Sequence, residues 1–340
     1  MTEKPLQLAL VGATGSVGRA VLEDLEARDV PGIPRLLAST RSEVDLLEFR
    51  GEEYEVEAVS ERSFRGCDVA ILAVPAAAAR ELAPRAWADG CLSVDLSGAF
   101  RAEEGVPLVV AGVNDADVAR GSVRGVVASA SGPVVSLALT LAPLHREAGL
   151  VRVVVTVLFP ASSAGRAGVR QLEREMVALL NGEEPEPSDL SHRMGMNLVP
   201  QVGAFLPGGS TEEEAAVGSE LRRLLAAPGL GITATAIRVP VFYGHSLIVN
   251  IATARPLTVE AARAVLRASP GLKVIDDPAG RVYPMPMLAV NDDAVLVGRV
   301  REDASQPNGL DLFAVADNLR RGAAGNAVRI AEAWVRQRLS

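Results

Sequence analysis

The chain opens with a short apolar run, Leu6 to Val11, that passes straight into the glycine loop GATGSVG. Gly12, Gly15 and Gly18 stand in a G-x-x-G-x-x-G arrangement, and apolar residues at helical spacing follow over Val17 to Glu26. Strand, tight turn and helix in that order begin a parallel sheet with crossover helices. Glycine lets the turn tighten and lets the backbone approach a pyrophosphate, whose charge rests on amides at the helix N-terminus. The expected cradle is Gly12, Thr14, Gly15, Ser16, Val17 and Gly18. A plain glycine turn has the same letters, but the position between strand and helix favours nucleotide binding.

The same alternation continues, with strands expected at Pro34 to Ala38, Val69 to Val74, Leu92 to Leu96 and Val126 to Ala128. This is the pattern of a doubly wound α/β sheet. After Gly132 the strands lengthen, as in Val151 to Phe159 and Gly231 to Val241, and predict a second, α+β domain with an antiparallel or mixed sheet. The acidic, proline-rich stretch from Asn181 to Leu190 reads as a surface loop. Thr211 with Glu214 forms a capping-box signature for a helix opening at Glu212. Asp317 to Arg338 has helical spacing and is expected to pack back on the first domain. The expected division is 1–131 with 320–340, and 132–319.

With 340 residues and 49% hydrophobic content, the chain can bury a sizeable core. Its net charge of −8 argues against nucleic acid or an anionic membrane as a partner, and leaves small anionic or carbonyl ligands open. No run of about 18 apolar residues predicts a membrane span. Neither does the N-terminus read as a signal peptide, so a cytoplasmic protein is expected. Cys67 and Cys91 form no C-x-x-C pair and the three histidines are scattered, so no metal is expected. Both cysteines read as buried small residues.

The segment after the second strand bears on the choice of dinucleotide. An NAD site usually places Asp or Glu here, whereas this chain has Ser39, Thr40, Arg41 and Ser42. Arg41 flanked by hydroxyls suits a 2′-phosphate, which points to NADP, with NAD and a solvated surface arginine as alternatives.

Taken together, GATGSVG, LASTRS, DLSGAFR, RVPVFYGHS, VYPMP and ADNLRRGAAGNAVRIAE resemble the aspartate-semialdehyde dehydrogenase family over almost the whole chain. The nearest resemblance is to its Usg-type paralogues, which lack the catalytic cysteine. The resemblance implies a Rossmann domain completed by the C-terminal helix, an inserted catalytic and dimerisation domain, NADP and a homodimer. It also places Asn318 with the cofactor, Arg101 at a phosphate-binding position, Arg238 at the substrate carboxylate and His245 as acid and base.

In that family a cysteine thiolate attacks the aldehyde, hydride leaves to NADP, and phosphate releases the thioester as an acyl phosphate. Matching the family's I-A-N-P-N-C-S to Val127 through Pro133 puts Ser131 at the second asparagine and Gly132 at the nucleophile. Phe159 falls where the family has glutamine, and Ala216 where it has the phosphate-site lysine. Arg238 and His245 keep the family's separation of seven, although a structural pairing with acidic neighbours would also retain them.

Two functions compete. One is a ligand-binding protein without the phosphorylating reaction; the other is an NADP-dependent oxidoreductase in which hydride passes directly to a carbonyl and His245 moves the proton. Ser131 as a nucleophile ranks lower, since no G-x-S-x-G elbow surrounds it. A purely structural dimer partner is the remaining alternative.

Overall fold

The computed structural model describes residues 6–39, 46–186 and 192–339. It divides into two compact units, Met1–Ser131 with Ala323–Ser340, and Gly132–Gly322.

The first unit is built on an eight-stranded sheet. Its strands are β1 (Leu8–Val11), β2 (Arg35–Ala38), β3 (Leu46–Phe49), β4 (Glu52–Ala58), β5 (Val69–Leu72), β6 (Leu92–Asp95), β7 (Leu108–Val109) and β8 (Val126–Ser129). They lie in the order β3-β4-β2-β1-β5-β6-β8-β7, with β1 central and the chain crossing outward on both sides. Every pairing is parallel except β3 with β4. All four residues of β1, β5, β6 and β8 are buried, as expected of parallel strands covered on both faces.

Helices α1 (Ser16–Ala27) and α2 (Ala76–Ala88) supply crossovers. The terminal helix, Gly325–Leu339, packs against α1, β5 and β6, so the chain's last segment completes this unit. Asn326 fixes it there: Nδ2 donates to the Val109 carbonyl at 3.0 Å and to Ser129 Oγ at 2.8 Å, and Oδ1 accepts from Ala111 N–H at 2.8 Å.

The second unit opens with α3 (Gly132–Ala148) and carries the strands β9 (Leu150–Phe159), β10 (Gly231–Arg238), β11 (His245–Thr253), β12 (Leu272–Val274), β13 (Val295–Glu302) and β14 (Gly309–Ala316). Their order is β10-β9-β11-β14-β13-β12, and the sheet is mixed, with β9/β10 and β12/β13 parallel and the rest antiparallel. The other helices are α4 (Gly165–Leu180), α5 (Glu212–Leu224), α6 (Val259–Arg267) and the short α7 (Pro286–Ala289), which makes the terminal helix α8.

α3 is apolar almost all round and packs on β9, β11, β13 and β14 as well as on α5 and α6, as a helix buried on all sides must. Alternation then splits the strands into two faces. Val153, Val155, Val157, Leu247, Val249 and Ile251 are buried, while the opposite rows Thr156–Ile248–Phe313 and Val154–Asn250–Asp311 are partly exposed. The capping box at Thr211 forms as expected, with Glu214 N–H donating to Thr211 Oγ1 at 3.3 Å and Thr211 N–H to Glu214 Oε2 at 2.8 Å.

Three expectations need correction. The strand predicted to reach Val241 stops at Arg238, because Pro240 offers no N–H to the ladder and restricts the residue before it. The segment predicted as one helix from Asp317 is a π-helical turn over Asn318–Ala324 followed by α8. Cys67 is only half-buried, in a turn ahead of β5 closed by its own N–H donating to the Phe64 carbonyl, whereas Cys91 is fully buried. Burial pushes both thiols up, Cys91 more strongly, which removes either as a thiolate near neutral pH. Of the surface loop after α4, residues 187–191 lie outside the described residues.

Candidate functional site

In the first unit the glycine loop closes on itself. Gly12 N–H and Ala13 N–H both donate to the Leu37 carbonyl, at 2.8 and 3.1 Å, and Gly15 N–H donates to Gly12 at 3.1 Å. Gly12 has φ +85°, and a Cβ there would lie 2.2 Å from the Ala73 carbonyl oxygen; a Cβ on Gly18 would lie 2.2 Å from the Gly12 carbonyl oxygen. These two glycines are demanded by geometry, while Gly15, whose Cβ would meet nothing closer than 3.4 Å, is not. Among the described residues no side chain caps α1, and no acid sits in its first turn, so the amide end beside Ser16, Val17 and Gly18 suits an anion. The cradle thus fits a dinucleotide pyrophosphate.

Ser39 is exposed just beyond β2, and Thr40, Arg41 and Ser42 lie outside the described residues. Arg101, also in this unit, is held by backbone: its Nε donates to the Ser129 carbonyl at 3.0 Å and an Nη to that of Leu96 at 3.3 Å. Asp95 shapes its loop by accepting from Ser97 N–H at 2.9 Å and Phe100 N–H at 3.3 Å.

The second unit brings Gly132, Phe159, Arg238 and His245 to the same end of its sheet. Arg238 is the register partner of Phe159 on β9, and His245 opens β11 on the other side of that strand. The Phe159 and His245 rings meet edge to face with centroids 5.0 Å apart. A Cβ built on Gly132 would lie 3.2 Å from His245 Cε1, 3.5 Å from its Nδ1 and 3.7 Å from the Asn318 carbonyl oxygen. His245 is 5% exposed, and among the described residues neither ring nitrogen has a hydrogen-bond partner. Burial pushes its pKa down to about 3, so the ring is neutral at physiological pH.

Arg238 donates to Ser163 Oγ at 3.3 Å. Burial lowers its pKa, opposed by the carboxylate of Glu213, and its guanidinium stays charged. Asn318, expected with the cofactor, has its Oδ1 engaged inside this unit, accepting from Ser162 Oγ at 3.1 Å and Gly244 N–H at 2.9 Å. Glu213 was missed by sequence reasoning; its place in the triple-acid start of α5 marks it only as a helix-dipole residue. Ala216 is half-buried on the same helix. Ser131 is buried at the end of the first unit, and His145 accepts from Leu150 N–H at 3.0 Å, a local structural bond.

A glycine-cradled parallel sheet joined to a mixed-sheet unit bearing an arginine and a buried histidine defines a dinucleotide-binding chain of the dehydrogenase type. The model of the semialdehyde dehydrogenase NAD binding domain matches residues 7–120, and that of the semialdehyde dehydrogenase dimerisation domain matches residues 141–321. The chain belongs to the semialdehyde dehydrogenase family.

It is 39% identical to an aspartate-semialdehyde dehydrogenase of Aquifex aeolicus, with 98% of this chain and 99% of that one covered. Identity to a USG-1 protein homolog of Azotobacter vinelandii is 38%, over 98% of both. The crystal structure of aspartate semialdehyde dehydrogenase II complexed with ASA from Vibrio cholerae matches with a TM-score of 0.94 and 34% identity, covering 98% of this chain and 99% of that one.

Proposed function

We propose that this chain is an NADP-binding, cytoplasmic homodimer of the family that does not carry out the thiol-dependent, phosphorylating reaction. The carrying observation is Gly132, whose Cα faces the buried His245 imidazole where the resemblance expects a cysteine. A hydrogen atom cannot attack a carbonyl, and neither cysteine of the chain lies in the unit that holds His245. Arg238 would hold a substrate carboxylate, Arg101 an anion, and the Gly12 to Gly18 loop the pyrophosphate, with Arg41 and Ser39 at the 2′-phosphate. When bound, NADP supplies the hydride acceptor or donor.

The test is acyl-phosphate formation from aspartate semialdehyde, NADP and phosphate, by the natural protein and by Gly132→Cys. The natural protein is expected to form none. The variant keeps Phe159 and Ala216, and its Cβ lies only 3.2 Å from His245 Cε1, so it is expected to stay about 100-fold or more below an intact family site, the scale of one lost polar contact to the reacting group. Full recovery by that one change would show that the site is otherwise intact. Turnover by the natural protein to acyl phosphate would overturn the reading of Gly132.

The dimer would form through the partly exposed sheet face of the second unit, where Ile248 is 50% exposed beside Phe313 and Thr156. Ile248→Asp places a charge in the middle of that face and is expected to weaken self-association at least about 10-fold, measured by sedimentation equilibrium. An unchanged dimer would place the interface elsewhere.

A further inference from the structure

Arg238 is held in two ways, and both holds lead to α4. The first acts on its side chain. Arg238 ends β10 as the register partner of Phe159, and the 3₁₀ turn that follows Phe159, Ala161–Ala164, carries Ser163 to its guanidinium. Ser163 Oγ donates to the Pro160 carbonyl at 2.7 Å and accepts from an Arg238 Nη at 3.3 Å. A hydroxyl has one hydrogen, and the Pro160 carbonyl takes it, so Oγ meets Arg238 as an acceptor. The turn is seated on α4: Ala161 packs with Leu172 and Met194 in a small buried cluster, and a Cβ on Gly168 of α4 would lie 2.4 Å from the Ala161 carbonyl oxygen.

The second hold acts on the backbone. Glu175 on α4 is 3% exposed, and a carboxylate is buried at a cost unless hydrogen bonds replace its water. Its Oε1 accepts from Gln171 Nε2 at 2.7 Å, and its Oε2 accepts from the N–H groups of Met194 and Gly195 at 2.8 and 2.6 Å. Two amides on one charged oxygen fix the start of the segment 194–199 more firmly than a neutral acceptor would. At the end of that segment Val199 bridges to Arg238, each N–H donating to the other's carbonyl at 3.0 and 2.8 Å. Met194 belongs to the same buried cluster as Ala161, so the turn and the segment share one anchor on α4.

We propose that Glu175 and Ser163 are positioning residues for Arg238: Glu175 fixes the backbone from which the guanidinium extends, and Ser163 fixes the direction in which it points. The proposal rests on the reading that Arg238 holds a substrate carboxylate. That grip is made by a planar fork of N–H donors, and it is tighter when the fork is set before the anion arrives, because less rotamer freedom is lost on binding. Ser163 takes one of the guanidinium's five donors and brings no charge of its own.

The Arg238 Nε–H resonance reports the fork without any ligand. In ¹⁵N-labelled protein it is expected as a sharp, slowly exchanging signal, identified by its loss in Arg238→Lys. Ser163→Ala and Glu175→Ala should each broaden it. Ser163→Thr, which keeps the hydroxyl, and Glu175→Gln, which keeps an oxygen for the two loop amides, should leave it sharp. Succinate, a stable dicarboxylate, is the binding probe in calorimetric titration. Its Kd should rise about 5-fold in Ser163→Ala, the scale of one exposed hydrogen bond, and at least about 10-fold in Glu175→Ala, where a buried charge and its donors are lost together. Ser163→Ala should melt with the natural protein; if Glu175→Ala does not fold, Glu175→Asp, which draws the carboxylate back by one methylene, takes its place.

A signal already broad in the natural protein, or sharp in both alanine variants, overturns the positioning role whatever the affinity. A change confined to one variant strikes the other residue from the role. Broadening as expected, in a protein that binds succinate no better than Arg238→Ala does, overturns the carboxylate reading alone and leaves the positioning of Arg238 standing.

Discussion

Gly18→Val is expected to abolish NADP binding, raising Kd about 100-fold or more, and to lower the stability of the first unit by roughly 1–3 kcal/mol. The reason is backbone crowding. A Cβ at position 18 would fall 2.2 Å from the Gly12 carbonyl oxygen and 2.8 Å from Ala13 Cα, and neither belongs to a flexible side chain that can move aside. Relief requires the loop to open. That displaces the first amides of α1 and breaks the contacts from Gly12 and Ala13 to the Leu37 carbonyl.

Gly15→Ala is the control: its Cβ would meet only the Gly12 carbonyl oxygen at 3.4 Å, in a residue whose φ of −74° any amino acid adopts. It should leave the melting temperature almost unchanged. Calorimetric titration with NADP and thermal melts of both variants check the pair. Wild-type affinity in Gly18→Val would mean that the loop is a plain turn.

Those glycines were legible because their spacing and their junction with a strand are local features. So was the Thr211 and Glu214 cap, which closes within four residues. What the same glutamate does with its other oxygen was not legible: Glu214 Oε1 accepts from Ala236 N–H on β10 at 2.9 Å, a bond spanning 22 residues. Glu175 is similar. It is buried on α4 and accepts from Gln171 and from the N–H groups of Met194 and Gly195, so a charge that periodicity assigns to a solvated face in fact secures a loop.

The β3–β4 hairpin also escaped the reading. Its residues alternate acidic with apolar, LLEF and EEYEVEA, and the exposed edge strand offers little hydrophobic signal.

At the candidate site, resemblance located Gly132, Arg238 and His245, but the chemistry between them lay in the fold. Phe159 reads in sequence as a lost glutamine; in the structure it is the ring that seals one edge of His245. Arg238 carries no sign in its own strand that Glu213 faces it from α5. Such couplings join strands and helices whose order in the sheet, β10-β9-β11, does not follow the chain.

Asn318→Ala should be the most damaging single change in the second unit among those bordering His245, costing roughly 2–4 kcal/mol. Its Oδ1 accepts from two donors at once, Ser162 Oγ at 3.1 Å and Gly244 N–H at 2.9 Å, and the residue is 5% exposed. Alanine leaves both donors without this acceptor, and each buried group so stranded costs about 1–3 kcal/mol. The Gly244 bond matters most, because Gly244 has φ +93° and leads directly into His245.

Losing it frees the turn that aims the imidazole. Urea unfolding should therefore show the lowered stability, and the ¹³Cε1–H resonance of His245 should shift and broaden. Ser162→Ala removes one donor together with its hydroxyl and should cost under half as much, with the resonance in place. A loss below about 0.5 kcal/mol in Asn318→Ala, with His245 unmoved, would show that Asn318 does not position the ring and would return it to the cofactor role the sequence suggests.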